Sequence, residues 1–390
     1  MSKYPAYKES GVEWIGEIPE NWVVKKLKFF ARILNGRDYQ ENVVEEGGYP
    51  VYGSGGQFAR SSKYLHDKPS VLLGRKGTVD KPQIVFTPFW TADTTYYTDI
   101  FDNVHPKYLF HLVNQIQFDL YIYGSAIPSM TKSVYDDMLF CYPPLHEQQA
   151  IVTYLDNQTA LIDDLVRKKE EKIQLLKEQR TSLINHVVTK GLDPDVEMKD
   201  SGVVEIGTIP NHWKTIKLKF IAHLQSGCSI TSDSIDVEGK YPVYGGNGLR
   251  GYTSTYTHEG YHALIGRQGA LCGNINYAKG KFWASEHAVV VTLRGNYDTH
   301  WLGELLKVMN LNQYSLASAQ PGLSVERIQN LDIPVPPSNE QVLISNYMKE
   351  QTDFIDTTIQ QEKQKIELLK EYRQSLISNV VTGKVCVIDD

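Results

Sequence analysis

The sequence predicts an α+β protein: two tandem β-rich domains separated by two long helices packed as an antiparallel coiled coil, the whole forming a pseudo-two-fold internal repeat. Three observations predict it. The first half of the chain recurs in the second, and each half changes partway from a glycine- and aromatic-rich composition to a charged one. Each charged stretch also carries apolar residues at steps of three and four, the spacing of one helix face.

The repeat frames everything else. Residues 8–29 match residues 199–220 at 13 of 22 positions. Tyr49-Pro50-Val51-Tyr52-Gly53 returns as Tyr241-Pro242-Val243-Tyr244-Gly245, Gly74-Arg75-Lys76-Gly77 as Gly266-Arg267-Gln268-Gly269, and Phe89-Trp90 as Phe282-Trp283. Pro143-Pro144 and Glu147-Gln148 return as Pro336-Pro337 and Glu340-Gln341, and Leu175-Leu176-Lys177-Glu178 as Leu368-Leu369-Lys370-Glu371. The offset drifts only from 191 to 193, so few insertions separate the copies and the two should share one fold.

Taken in chain order, residues 1–145 form the first β-rich domain, because short runs such as Ser70-Val71-Leu72-Leu73 are bounded by glycine clusters. Residues 146–190 form the first helix. Pro143-Pro144 ends the preceding strand, and no proline or glycine occurs from Glu147 to Lys190. Its seam is Ile151, Leu155, Ile162, Leu165, Ile173, Leu176, Leu183 and Val187, with Gln158, Lys169 and Arg180 filling the gaps. The stripe runs for about 60 Å at 1.5 Å per residue. The linker Gly191-Leu192-Asp193-Pro194-Asp195 opens the second domain, residues 191–337, where Ala288-Val289-Val290-Val291-Thr292 reads as a strand. Residues 338–384 repeat the helix with a stripe of Ile344, Met348, Ile355, Ile366, Leu369, Leu376 and Val380, and residues 385–390 are a tail. An amphipathic helix of this length would leave its seam in water, so the other copy is its nearest partner. The alternative is that each helix packs on its own domain.

Charge and composition narrow the function classes. Lys+Arg 40 against Asp+Glu 46 gives a net charge of −6, so no global positive field holds polyanions and a nucleic-acid role needs local basic patches. Cys141, Cys228, Cys272 and Cys386 stand singly, without Cys-x-x-Cys or a nearby histidine at metal-ligand spacing, which points to reduced thiols in a cytosolic protein. The amino-terminal Met-Ser-Lys-Tyr-Pro-Ala-Tyr-Lys lacks a signal-peptide apolar region, and no apolar run approaches spanning length. A soluble, cytoplasmic protein with no membrane partner is expected.

No catalytic constellation is visible. A Gly-x-x-x-x-Gly-Lys-Ser/Thr loop, a His-Glu-x-x-His pair and a Gly-x-Ser-x-Gly elbow are all missing. The Pro-Pro pairs superficially match the Asp/Asn-Pro-Pro-aromatic motif of amino-methyltransferases, but Tyr142 and Val335 replace its polar acceptor and Leu145 and Ser338 its aromatic. Asp93 and Glu286 occupy matching places, one acid per half, and read as structural or hydrogen-bonding groups. His66, His105, His111 and His146 read as surface or locally bonded. Trp22, Trp90, Trp213 and Trp283 recur and read as core. No cofactor or metal site is predicted in this chain.

The motifs Ser10-Gly11-Val12-Glu13-Trp14-Ile15-Gly16-Glu17-Ile18-Pro19 with Trp22, Tyr49-Pro50-Val51-Tyr52-Gly53, Gly74-Arg75-Lys76-Gly77, Pro143-Pro144-Leu145-His146-Glu147-Gln148 and Gly191-Leu192-Asp193-Pro194 resemble those of specificity (S) subunits of type I restriction-modification enzymes. With the duplication and the two helices, the resemblance spans essentially the whole chain. It implies a non-catalytic double-stranded-DNA reader with two target-recognition domains, each reading half of a bipartite asymmetric site, with the helix pair as a ruler. It further implies two methyltransferase (M) subunits and restriction/translocase (R) subunits as partners, with S-adenosylmethionine, ATP and Mg carried on those partners. Val204-Glu205 replaces Glu13-Trp14 and Gln268 replaces Lys76, departures that suit two different half-sites.

A DNA reader needs basic groups for phosphates and amides or hydroxyls for base edges. Three loop sets carry them: Ser54, Gln57 and Arg60 with Asn247 and Arg250; Arg75 and Lys76 with Arg267 and Gln268; and Ser129, Thr131 and Lys132 with Gln320 and Ser324. Each has a plainer role open to it: glycine turns, an arginine bracing a carboxylate, or an ordinary polar loop. Arg167-Lys168-Lys169 and Lys172 lie over DNA or simply solvate the helix. The competing class is a tandem β-domain ligand-binding or interaction protein that self-assembles through its coiled coil. A self-sufficient methyltransferase or nuclease lacks the motifs it needs.

Overall fold

A computed structural model of the chain describes residues 3–123, 127–269, 271–315 and 322–388. It comprises two compact units: unit 1 is Met1–Lys169 with Gln364–Asp390, and unit 2 is Glu170–Lys363. The two long helices, α1 (Leu145–Lys190) and α2 (Ser338–Val381), are therefore each shared between the units, where the sequence boundaries make each a separate spacer. Among the described residues no helix is long and apolar enough to cross a membrane.

Both units begin alike. Tyr7–Glu9 pairs with Glu17–Pro19 in unit 1, and Met198–Asp200 with Thr208–Pro210 in unit 2, both antiparallel. Ser10 and Ser201 explain part of that repeated motif. The hydroxyl of Ser10 accepts from Val12 N at 3.1 Å, and that of Ser201 from Val203 N at 3.0 Å, local turns of the kind serine favours. A second ribbon joins Val23–Lys26 to Leu139–Tyr142, and its counterpart joins Lys214–Lys217 to Asp332–Val335.

The main sheets differ. Unit 2 has one six-stranded sheet in the order Ala222–Ser226, Ala288–Leu293, His258–Gly266, Ile275–Ala284, Tyr241–Gly245, Gly248–Thr253. In unit 1 the same path divides into a four-stranded and a three-stranded sheet. The ten-residue strand Ile275–Ala284 corresponds there to two short strands, Gln83–Val85 and Trp90–Thr91. Pro88 lies between them, and a proline cannot donate to the ladder.

Within each unit the helices pack antiparallel. In unit 2, Lys172 Nζ meets Glu362 at 2.9 Å and Arg180 meets Asp356 at 3.1 Å, so one number rises as the other falls. In unit 1, Arg373 Nε meets Asp163 at 3.0 Å. Ile151, Leu155, Ile162, Ile173, Val187, Ile344, Met348, Ile355, Ile366, Leu376 and Val380 are buried, and Leu176, Leu183 and Leu369 are half-buried. Leu165 is a correction. It is 47% exposed, while Val166 packs against the unit 1 core and Thr159 is buried. The seam steps four, three and four through Leu155, Thr159, Ile162 and Val166, the heptad alternation, and Leu165 falls on the flank.

Helix ends are set by left-handed glycines. Gly191, at φ +76°, donates to Val187 O at 3.1 Å and closes α1. Gly383, at φ +77°, donates to Val380 O, and Lys384 N donates to Asn379 O at 2.8 Å. Together these bonds form a Schellman cap, so α2 stops at Val381 and not at 384.

The repeated Glu-Gln pair clasps each helix to its own sheets. Glu147, 3% exposed, accepts from Trp22 Nε1 at 2.7 Å, and Glu340 accepts from Trp213 Nε1 at 3.1 Å and His212 Nε2 at 2.8 Å. Gln148 Oε1 accepts from His105 N while its amide donates to Pro143 O, and Gln341 does the same with Asp298 N and Pro336 O. Trp22, Trp213 and Trp90 are buried in the cores, and Trp283 is half-buried.

Candidate nucleic-acid interface

In each unit three loops converge on one rim, held by backbone bonds at equivalent positions. In unit 1, Arg75 N donates to Thr94 O at 2.9 Å, Met130 N donates to Arg75 O at 3.0 Å, and Lys76 bridges to Ser129. In unit 2, Arg267 N donates to His287 O at 2.8 Å, Leu323 N donates to Arg267 O at 2.9 Å, and Gln268 bridges to Gly322. The hairpin turn reaches the same rim. Gln83 Nε2 donates to Gly53 O at 2.9 Å in unit 1, and in unit 2 Asn274 Nδ2 donates to Asn247 Oδ1 at 3.2 Å.

The rim of unit 1 gathers Ser54, Arg75, Lys76 and Ser129, with Gln57 one residue beyond the turn. Lys76 and Gln57 are exposed, whereas Arg75 is half-buried and reaches Asp93 O at 3.2 Å. That bond goes to a backbone carbonyl and leaves the guanidinium its other donors. The rim of unit 2 gathers Asn247, Arg250 and Gln268 around a groove of about 720 Å³, with Arg267 next to Gln268 in the chain. Gly245, Gly246, Gly248 and Gly269 line this groove.

Several predicted residues have other work. Arg60 does not match Arg250. A bulge between Val51 and Tyr52 sets Arg60 opposite Pro50, where its guanidinium braces the carbonyls of Gly47 and Gly48, the latter at 2.9 Å. Arg250 occupies the equivalent bulge of unit 2, where unit 1 has Phe58. Thr131 caps the helix Lys132–Asp137, its hydroxyl accepting from Val134 N at 3.4 Å. Lys132 is the half-buried first residue of that helix. Ser324 stands at the N-cap of Val325–Gln329 without a side-chain cap bond. Gln320 lies outside the described residues, as do Gly124, Ser125 and Ala126 of the third loop. On α1, Lys168 pairs with Asp164 at 2.7 Å and Lys172 with Glu362, which uses part of the basic run within the protein.

Sequence reasoning missed Gln83, Thr94, Asn274 and His287, which strand pairing and loop hydrogen bonds bring to the rim from elsewhere in the chain. The one available signal was the recurrence of Asp93 and Glu286, each of which precedes a rim residue. Burial acts on three histidines of unit 1. It lowers the His66 and His105 pKa and takes His111 down to about 4. Among the described residues no cluster of His, Cys, Asp or Glu is arranged to hold a metal.

Comparison with known proteins bears on this geometry. The family model described as type I restriction modification DNA specificity domain matches residues 19–175 and 210–370, both repeats. The EcoprrI specificity subunit of Escherichia coli is 46% identical over 130 residues, covering 32% of this chain and 32% of that protein. The MjaVIII specificity subunit of Methanocaldococcus jannaschii is 23% identical over 95% of this chain and 94% of that protein. A chain solved in a study of complex assembly and conformational transition of the type I R-M system shares the fold at a TM-score of 0.74, with 15% identity over 94% of this chain and 99% of that one. The HsdS subunit of Thermoanaerobacter tengcongensis shares it at 0.59, with 15% identity over 97% and 100%.

Proposed function

The chain belongs to the type I restriction-modification DNA specificity family, and from that membership we propose that it is the non-catalytic subunit that reads a bipartite, asymmetric DNA target. Each rim reads one half-site. The helix pair fixes the interval between them and offers the docking surface for two methyltransferase subunits, with restriction/translocase subunits joining the complex. Methyl transfer to adenine with S-adenosylmethionine, and ATP- and Mg-dependent translocation and cleavage, belong to those partners. The complex acts in the cytoplasm, where chromosomal DNA lies.

One observation carries this reading. The two rims share their backbone bonds and differ in the side chains they present: Lys76, Thr94 and Ser129 in one, Gln268, His287 and Gly322 in the other. A common frame with exchanged tips is what reading two different half-sites requires, because base edges are told apart by side-chain donors and acceptors. The family match covers both repeats, and no observation favours a tandem ligand binder that self-assembles through its helices.

The test is reconstitution with the cognate methyltransferase subunit. The complex should methylate a randomised DNA library at one split motif, and neither subunit alone should do so. Sequence-independent methylation by the complex would overturn the proposal.

A further inference from the structure

We infer that the bulged residue of the rim hairpin is a specificity-determining position, and that Arg250, which holds it in unit 2, selects guanine at one position of that unit's half-site. This rests on the DNA-reading function proposed above and adds the residue that chooses and the base it reads.

The bulge falls at the same place in both repeats, between Val51 and Tyr52 and between Val243 and Tyr244. It leaves Phe58 in unit 1 and Arg250 in unit 2 out of the pairing, and a bulge re-aims the side chain it frees. Both side chains are exposed, and each lies across a glycine of the facing strand. A Cβ on Gly245 would come within 2.5 Å of Arg250 Cδ, and one on Gly53 within 3.2 Å of Phe58 Cε1. Phe58 also meets the Tyr39 ring edge-on, with centroids 5.2 Å apart. Arg250 lines the groove beside Asn247 and Gln268. Among the described residues its guanidinium has no acceptor or carboxylate partner, whereas that of Arg60 braces two backbone carbonyls.

The change of residue at a kept position separates the two uses an arginine has on DNA. Phosphates are alike at every half-site, and contacts to them carry no sequence information. A position that keeps its backbone geometry but changes from a cation to a phenyl ring is therefore not one the DNA backbone requires. Base edges do differ between half-sites. A guanidinium has N–H donors and no acceptor in any orientation. In the major groove guanine alone offers it two adjacent acceptors, O6 and N7, while adenine and cytosine present an amino donor and thymine a single acceptor beside its methyl group.

The experiment uses the reconstituted complex with its methyltransferase subunit and a DNA library randomised across both half-sites. It compares wild type with Arg250→Ala, Arg250→Lys, Gly245→Ala and Phe58→Arg. Wild type should require guanine at one position of one half-site. Arg250→Ala should cut the preference for guanine there about tenfold and leave the other positions as they were. Gly245→Ala, whose methyl group pushes the arginine off its seat, should weaken the same preference. Arg250→Lys should keep guanine, because lysine reads the same two acceptors. Phe58→Arg should alter one position of the other half-site alone. A uniform loss of methylation with the motif intact in Arg250→Ala is the signature of a phosphate contact and would overturn the inference. An unchanged motif in Arg250→Ala or in Phe58→Arg would overturn it as well. If wild type showed no motif at all, the DNA-reading function would fail, and the inference with it.

Discussion

Trp22 donates its indole N–H to Glu147 Oε2 across 2.7 Å, and the next repeat makes the same bond from Trp213 to Glu340 Oε1 across 3.1 Å. The two pairs differ in surroundings. Glu147 is buried and also accepts from Asn21 Nδ2 at 2.5 Å, whereas Glu340 is partly open and has the His212 ring beside it. Removing a donor from a buried carboxylate leaves a desolvated acceptor. Trp22→Phe should therefore destabilise the protein by about 2 kcal/mol, and Trp213→Phe by clearly less. Urea unfolding midpoints check this, and equal losses would contradict it.

Salt dependence separates rim residues from bracing ones. Lys76 is exposed on the unit 1 rim, and Arg60 is spent on the carbonyls of Gly47 and Gly48. With the methyltransferase-bound complex, Lys76→Ala should flatten the log–log salt slope of DNA binding by about 0.9, one phosphate contact. Arg60→Ala should leave that slope unchanged while lowering stability. A flattened slope for Arg60→Ala would move it back to the DNA.

Helix length should set the interval in the target. Adding one heptad to each helix keeps the seam in register, since heptads restore the same face. The added residues belong between Lys169 and Glu170 and between Lys363 and Gln364, where both helices pass from one unit to the other. The methylated motif should keep both half-sites and gain a longer unspecified gap. An unchanged gap in a folded variant would show that the helices do not measure it.

Acid should weaken unit 1 through its half-buried histidines. Burial lowers the His111 pKa from 6.5 to about 4 in the folded chain, and His66 and His105 shift in the same direction. Between those two values the unfolded chain binds the extra proton, so stability is full above pH 6.5 and falls as pH drops toward 4. The variant His111→Gln should show a shallower decline in melting temperature over that window. An unaltered slope would mean that His111 does not contribute.

The fold was legible wherever one rule governs a long stretch. The repeat and the three-and-four stepping marked both helices, and Gly191 marked the end of the first, while the expected end of the second at 384 ran past Gly383. The seam failed at Leu165 because leucine is the more apolar of two adjacent candidates, while the helix geometry selects Val166. The rim was legible in part. Arg75, Lys76, Arg267 and Gln268 sit inside repeated motifs and were found. Arg60 was matched to Arg250 by counting past a turn, whereas strand pairing sets Arg60 opposite Pro50 and puts Arg250 in the bulge, level with Phe58. Gln83 and His287 reach the rim through tertiary pairing: Gln83 lies opposite Leu72, and His287 O accepts from Arg267 N. No local pattern carries that information.

The most direct test of the central claim is a genome-wide map of methylated adenines in the source cells, with this gene present, deleted and restored. The account predicts that methylation at one split, asymmetric motif disappears on deletion and returns on restoration. It also predicts that a restored copy with the Gln268 rim altered changes only one half of that motif. Methylation that persists at every motif after deletion, with the partner methyltransferase still expressed, would contradict the claim that this chain sets its target.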